Sequence, residues 1–361
     1  MDFPGQSKLL VQVNSPSPEQ QLRFLQRIQR LLTEGDFTAT YKFALLISLC
    51  DLAVERWKEG EDGPHFSFSD IGRKFIELYW TQVTPYMGRG QAGQSLVLVQ
   101  NRGAQAAIVN SIAAFREANP EVTLAAAIRH RAYPKLLASV SETVKRQPIA
   151  FLQNLGGVEE RFLFDTLPGG ITLRPGVAFS LRSFQPLIQQ LARQKWVDHI
   201  KCNKRNAPVL GDEIDLAAFL FETSRTSLDV FRSGLQKIAN GKCFYCGSEV
   251  TSQAHADHFV PFILYPRDLA HNLVYAHAGC NISKSDTLAS IRHLERWLAY
   301  IDKEDQNLAE VSSLSGIPAD RWSSRSIAEW GYRQGFSSGS LAWLKHRDLE
   351  PITKDYVDLF S

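Results

Sequence analysis

The sequence predicts an α+β chain, mainly helical and divided into several domains, with a small β-hairpin region and a short metal-stapled module near residue 250. Three observations carry that expectation. Apolar residues recur at three- and four-residue spacing through much of 18–148, as on helices with one buried face. The period falls to two within 160–183, as in strands. Four metal-ligand side chains, Cys243, Cys246, His277 and Cys280, form two close pairs about thirty residues apart.

A chain of 361 residues with 44% hydrophobic content buries enough core to fold without disulfides or metal. No repeat or low-complexity block interrupts it, and a net charge of +2 excludes a highly basic packaging protein while allowing local basic patches. The start, MDFPGQSKLL, lacks the pattern of a signal peptide. The longest apolar run, Phe43 to Val54, is too short for a bilayer and reads as a buried helix. A cytoplasmic chain with no membrane partner is therefore expected, its clustered cysteines serving metal rather than disulfides. Cys50 and Cys202 read as small buried residues.

Residues 1–150 are expected as a helical accessory domain, with Ser69 and Asp70 capping the helix that begins FSDIGRKF. GRGQAGQS at 88–95 reads as a loop, since no strand precedes it and no Lys-Ser/Thr pair follows. Residues 151–211 are expected as a small sheet, with Pro175-Gly176 as its turn, followed by a basic helix. That helix carries Arg193, Lys195, Lys201, Lys204 and Arg205 against Asp198 alone. Residues 212–300 should hold a long helix from Asp212 to about Asn240, with Ala217, Leu220, Leu228, Phe231, Leu235 and Ile238 on one stripe, and then the module. Arg225 and Arg232 share a neighbouring face of it. The tail, 301–361, is expected as short helices packed through Trp322, Trp330 and Trp343.

The C-x2-C and H-x2-C pairs suit one tetrahedral zinc ion, because two intervening residues make a knuckle that turns both ligands the same way. Such a closed site is structural, so any chemistry needs a second centre. ADHFVPF and AHNLVYAHAGCNISKSD, between and beyond the knuckles, offer one. The order C-x2-C, D-H-x-V-P, N-L-V, then C-N-x-x-K-x-D resembles the HNH endonuclease family, whose module is a ββα-metal finger. The same arrangement occurs in HNH domains of CRISPR effectors and in zinc-stapled phage resolving endonucleases. The resemblance covers roughly 236–290, about one seventh of the chain.

The resemblance implies His258 as general base, Asp257 and Asn281 as ligands of a catalytic Mg2+ or Mn2+, and Asn272 as the residue that orients the base. Asn281 stands where the founding pattern has histidine. Lys284, one turn further, could add a positive contact to the phosphate. Chemistry argues the same way: hydrolysis of a phosphodiester needs a proton acceptor near neutral pH and a hard cation with oxygen ligands. One tension is visible, because adjacent residues on a regular strand face opposite sides, which separates Asp257 from His258. His255 and His271 are read as partly exposed histidines without a role.

The implied activity is DNA hydrolysis, nicking one strand, in a bacterial restriction or anti-phage setting; RNA stays open as substrate. A homodimer or a defence-system partner would supply a second cut. Two alternatives stand beside it: a zinc-stabilised nucleic-acid-binding protein without catalysis, and an effector subunit silent until a partner activates it. From 241 to 290, Lys242, Arg267 and Lys284 face Glu249, Asp257, Asp268 and Asp286, a net of −1, so affinity for nucleic acid must come from elsewhere. Lys201, Lys204, Arg205, Arg225, Arg232 and the Lys345/Arg347 pair are the candidates.

Overall fold

The computed structural model describes residues 15–35, 37–58, 61, 63–86, 96–210, 216–222, 225–251 and 253–361. The fold is α+β and mainly helical. The loop at 88–95 and the Asp212 cap lie outside the described residues.

The N-terminal body winds around one apolar helix. Helix α1 (Pro18–Glu34) opens with a capping box from Ser17 and Gln20. Helix α2 (Tyr41–Arg56) is buried from Tyr41 to Glu55, as its unbroken apolar run predicts for a helix surrounded on all sides. Strand β1 (His65–Ser67) leads into α3 (Phe68–Tyr79), whose cap is Ser67 with Asp70 closing the box, rather than Ser69. Helices α4 (Ala107–Ala118), α5 (Leu124–Ala127) and α6 (Tyr133–Val144) complete the helical layer.

The next segment forms two small sheets. Strands β2 (Asn154–Leu155) and β3 (Val158–Glu159) pair, and β4 (Phe164–Leu167) with β5 (Gly170–Leu173) joins β1 in the order β1-β5-β4. The hairpin turns at Pro168-Gly169, where Gly169 has φ +88°, and not at Pro175-Gly176. Residues expected as its second strand instead begin α7 (Val177–Ser183), because Gly176 at φ +77° starts a helix there. Helix α8 (Gln185–Cys202) packs along α2.

The expected long helix is two: α9 (Leu216–Phe221) and α10 (Arg225–Ile238). The break sends the halves to different cores. Leu220 joins the core that runs from Phe24 to Leu220, while Phe231 and Leu235 join one with Leu273, Tyr275 and Leu308; Ala217 is exposed.

The C-terminal half contains β6 (Ala254–His258), β7 (Leu273–His277), α11 (Ala278–Lys284) and α12 (Ile291–Lys303). Helices α13 (Asp305–Ser315) and α14 (Arg321–Ser337) follow, then a hairpin of β8 (Leu341–Lys345) and β9 (Asp348–Pro351), and α15 (Lys354–Asp358). The hairpin lies in a segment expected as helices. Trp330 and Trp343 are buried as expected, whereas Trp322 is 70% exposed. Cys50 is buried, but Cys202 is exposed. Val54 of α2 packs in the same core as Phe259, Val260 and Trp297, so the central helix of the first body also supports the second. No helix among the described residues is long and apolar enough to cross a membrane.

Candidate metal centre and catalytic finger

The first knuckle is local. Gly247 at φ +75° lets its N–H donate to the Cys243 carbonyl across 2.9 Å, and the Lys242–Glu249 bridge closes the loop. Strand β7 delivers His277 at its last residue, and the first turn of α11 presents Cys280. The ligand atoms of Cys243, Cys246, His277 and Cys280 all lie within 4.8 Å of one another.

The set fits zinc. His277 Nδ1 lies 3.4 Å from Cys246 Sγ and 4.0 Å from Cys280 Sγ. Tetrahedral zinc with ordinary bond lengths requires separations of about 3.5 Å between such atoms. His277 Nε2 donates to the Glu249 carbonyl at 3.1 Å, which leaves Nδ1 as the ligand. Burial and the neighbouring Cys243 and Cys246 push the Cys280 thiol up to about 12, the signature of sulfurs crowded where a cation would neutralise them. This cluster could therefore hold a metal ion such as zinc. Among the described residues it is the one group of three or more His, Cys, Asp or Glu close enough for that.

The second centre lies on the other end of β6. Strands β6 and β7 pair antiparallel in continuous register, Asp257 opposite Val274 and His258 opposite Leu273, and α11 follows directly, giving the ββα order. Asn272 is buried and clamps the chain leaving β6: its Oδ1 accepts from the Val260 N–H at 2.8 Å and its Nδ2 donates to the Val260 carbonyl at 2.9 Å. Asn272 thus fixes the backbone two residues beyond His258.

Asp257 and His258 obey the strand alternation and look different ways. Asp257 faces inward, where its Oδ2 accepts from Tyr245 and pairs with Lys284 Nζ at 3.2 Å. Lys284 is 1% exposed and also donates to the His258 carbonyl at 2.8 Å, so it ties the two residues together from inside rather than reaching outward to a phosphate. Asn281 donates through Nδ2 to His255 Nδ1 at 2.8 Å. No hydrogen bond or ion pair joins Asn281 to Asp257 or to His258 among the described contacts. Oδ1 of each of Asp257 and Asn281 receives no described donor.

His258 Nε2 lies 2.6 Å from Asp268 Oδ1, with Asp268 almost buried and the imidazole 20% exposed. The carboxylate can only accept, so Nε2 carries the proton and Nδ1 is left as an acceptor. From sequence Asp268 enters only as a charge of the module, and His255 is read as having no role. Asp268 has no periodic or motif signal, being in a loop ten residues beyond its partner; His255 could have been found, as it shares a face of β6 with Asp257. His271 is buried rather than partly exposed, its Nε2 2.8 Å from Asp305 Oδ1, and burial lowers its pKa.

The expected nucleic-acid contacts are scattered. Arg232 braces the finger, donating to the Ala254 carbonyl at 3.2 Å and pairing with Asp229 at 3.0 Å. The Arg225 side chain lies outside the described residues. Lys204 and Arg205 are exposed beyond the end of α8, Arg205 bonding the Gly103 carbonyl, and Lys201 is partly buried. Arg193 turns inward, its Nη2 2.9 Å from the Pro266 carbonyl.

The loop carrying Asp268 is gripped by the N-terminal body. Arg267 Nε donates to Asp51 Oδ2 at 3.0 Å, Tyr265 donates to Glu55, and Lys74 Nζ reaches Glu55 at 2.7 Å and Glu77 at 3.1 Å. Asp51 and Glu55 are both on α2, so the buried helix holds the loop that carries Asp268.

No curated protein and no solved structure matches the chain. Residues 21–212, more than half of it, match the family described as "Domain of unknown function (DUF8808)", and the chain belongs to that family.

Proposed function

We propose that the chain is a metal-dependent endonuclease that hydrolyses DNA phosphodiester bonds at the finger. The observation that carries this reading is the His258–Asp268 pair, which leaves Nδ1 of a partly exposed imidazole as a proton acceptor. In this reading water attacks the phosphorus in line and His258 takes its proton through Nδ1. Asp268 holds the ring and stabilises the imidazolium that forms. Asn272 keeps the chain after β6 in place, and so keeps the base aligned. A hard divalent ion, Mg2+ or Mn2+, held by Asp257 and Asn281, would neutralise charge on the phosphate and the leaving oxygen. Zinc at the cysteine cluster would staple β7 and α11 to the first knuckle.

One observation favours a second reading, a scaffold or a latent effector: Lys284 already neutralises Asp257. Titration of the zinc-loaded protein with Mn2+ separates the two. A second, weaker site that disappears in Asp257→Ala supports the enzyme; no second site in the wild-type protein overturns the catalytic-metal assignment.

A further inference from the structure

A cavity of about 1040 Å³ lies at the seam between the N-terminal body and the finger, at the upper limit of the size of sites for small organic ligands. Its wall includes Tyr265, Arg267 and Asp268, so it reaches the residue that holds the proposed base. The charges on the wall fall into two classes. Lys74 is neutralised by Glu55 and Glu77, and Arg267 by Asp51. Glu121 and Glu222 are exposed at the rim.

Arg116 and Arg193 are different, since among the described residues neither forms an ion pair with a carboxylate. Arg116 lies over the Trp80 ring at 5.4 Å and spends one N–H on the Trp80 carbonyl at 2.9 Å. Arg193 lies over the Phe221 ring at 5.0 Å and gives one N–H to the Pro266 carbonyl and one to Gln189. Burial lowers the pKa of both; for Arg193, burial and the neighbouring Arg267 push it down to about 10, against the opposing pull of Asp51 and Glu222, neither of which it touches. Guanidiniums drawn partly out of water are ordinarily paired, and two that line one cavity with no described carboxylate in hydrogen-bond contact, each within cation–π reach of a ring, make a preorganised receptor for an anion. Trp80, Tyr86, Phe219, Phe221 and Tyr265 add aromatic surface around them.

We propose that this cavity binds a small organic anion, a flat ring bearing phosphate or carboxylate groups, with Arg116 and Arg193 on the anionic groups. The regulatory part of the proposal rests on the endonuclease reading: an occupant touching Tyr265 and Asp268 biases the loop that holds His258, and so couples the family body to the finger.

The test uses the full zinc-loaded chain, with AMP and ATP as probes and adenosine as the uncharged control, followed by calorimetric titration and the unfolding midpoint. AMP or ATP is expected to bind and to raise the midpoint, adenosine to do neither, and the Arg116→Gln/Arg193→Gln pair to weaken binding by about tenfold or more. A circular-dichroism spectrum and a single cooperative ligand-free unfolding transition like those of the wild-type protein guard against a folding defect in that pair. Binding should persist in His258→Ala, so loss of the endonuclease reading leaves the ligand site standing. Absence of binding by both nucleotides in the wild-type protein overturns the proposal. So does unaltered nucleotide binding in the double variant, including the case where only its DNA binding falls.

Discussion

Asp268 Oδ1 lies 2.6 Å from Nε2 of His258, and this pair is set by a loop that a different part of the chain holds. Substituting Asp268→Asn offers the ring a donor or an acceptor and removes its preference for the Nε2–H tautomer. Cleavage should fall by about a hundredfold or more in kcat with KM little changed, and Asp268→Glu should recover part of it. An unchanged kcat in Asp268→Asn would remove the positioning role.

Arg267→Ala leaves Asp51 buried with Gln189 as its remaining partner. Breaking a buried ion pair from one side costs about 3–5 kcal/mol, whereas Asp51→Asn/Arg267→Met should recover most of that. Urea unfolding of both variants measures the difference. Equal stabilities would show that the clasp is not a coupled pair.

Removal of the cysteine-bound metal should unfold the finger first. The second and third cores, built around Phe259, Trp297 and Leu273, are separate from the N-terminal core apart from Val54, which α2 contributes to the second. Chelation, or Cys243→Ser with Cys246→Ser, should therefore abolish a transition belonging to the finger while much of the helical signal survives. Metal analysis should give one zinc per chain, and a chain without zinc that melts like the loaded one would contradict the assignment.

His293 supplies a pH dependence. It is buried against Trp343, its Nε2 3.1 Å from the Leu344 carbonyl, and Nδ1 has no partner. Burial pushes its pKa down to about 4, reinforced by Arg292 and Arg296, while the Leu344 bond opposes the shift. Between its ordinary value near 6.5 and about 4 the unfolded chain binds a proton that the folded chain does not, so stability falls as pH falls through that window. The loss is roughly 1–3 kcal/mol. Comparing the wild-type protein with His293→Gln at pH 7.5 and pH 5 should show a smaller acid loss in the variant; parallel losses would exclude His293 as the cause.

Much of this was legible in the amino-acid order, and the exceptions have physical reasons. Helix α2 declares itself by an unbroken apolar run, and the cluster that could hold zinc by its two paired spacings. The helix expected from Asp212 to Asn240 failed because an apolar stripe says which residues are buried, not whether one core or two receive them. Pro175-Gly176 looked like a strand turn, but a glycine at positive φ serves equally before a helix. Arg193 resembled its basic neighbours in sequence and is set apart only by the loop that folds over it. Asp268 and Lys284 were the hardest to read, since a loop carboxylate and a buried lysine take their roles from partners distant in sequence.

The most direct measurement is the conversion of supercoiled plasmid by zinc-loaded protein with Mg2+ or Mn2+, wild type beside His258→Ala. The account predicts metal-dependent nicking that the substitution abolishes. Full nicking by the substituted protein, or no metal-dependent nicking by the wild type, would contradict it.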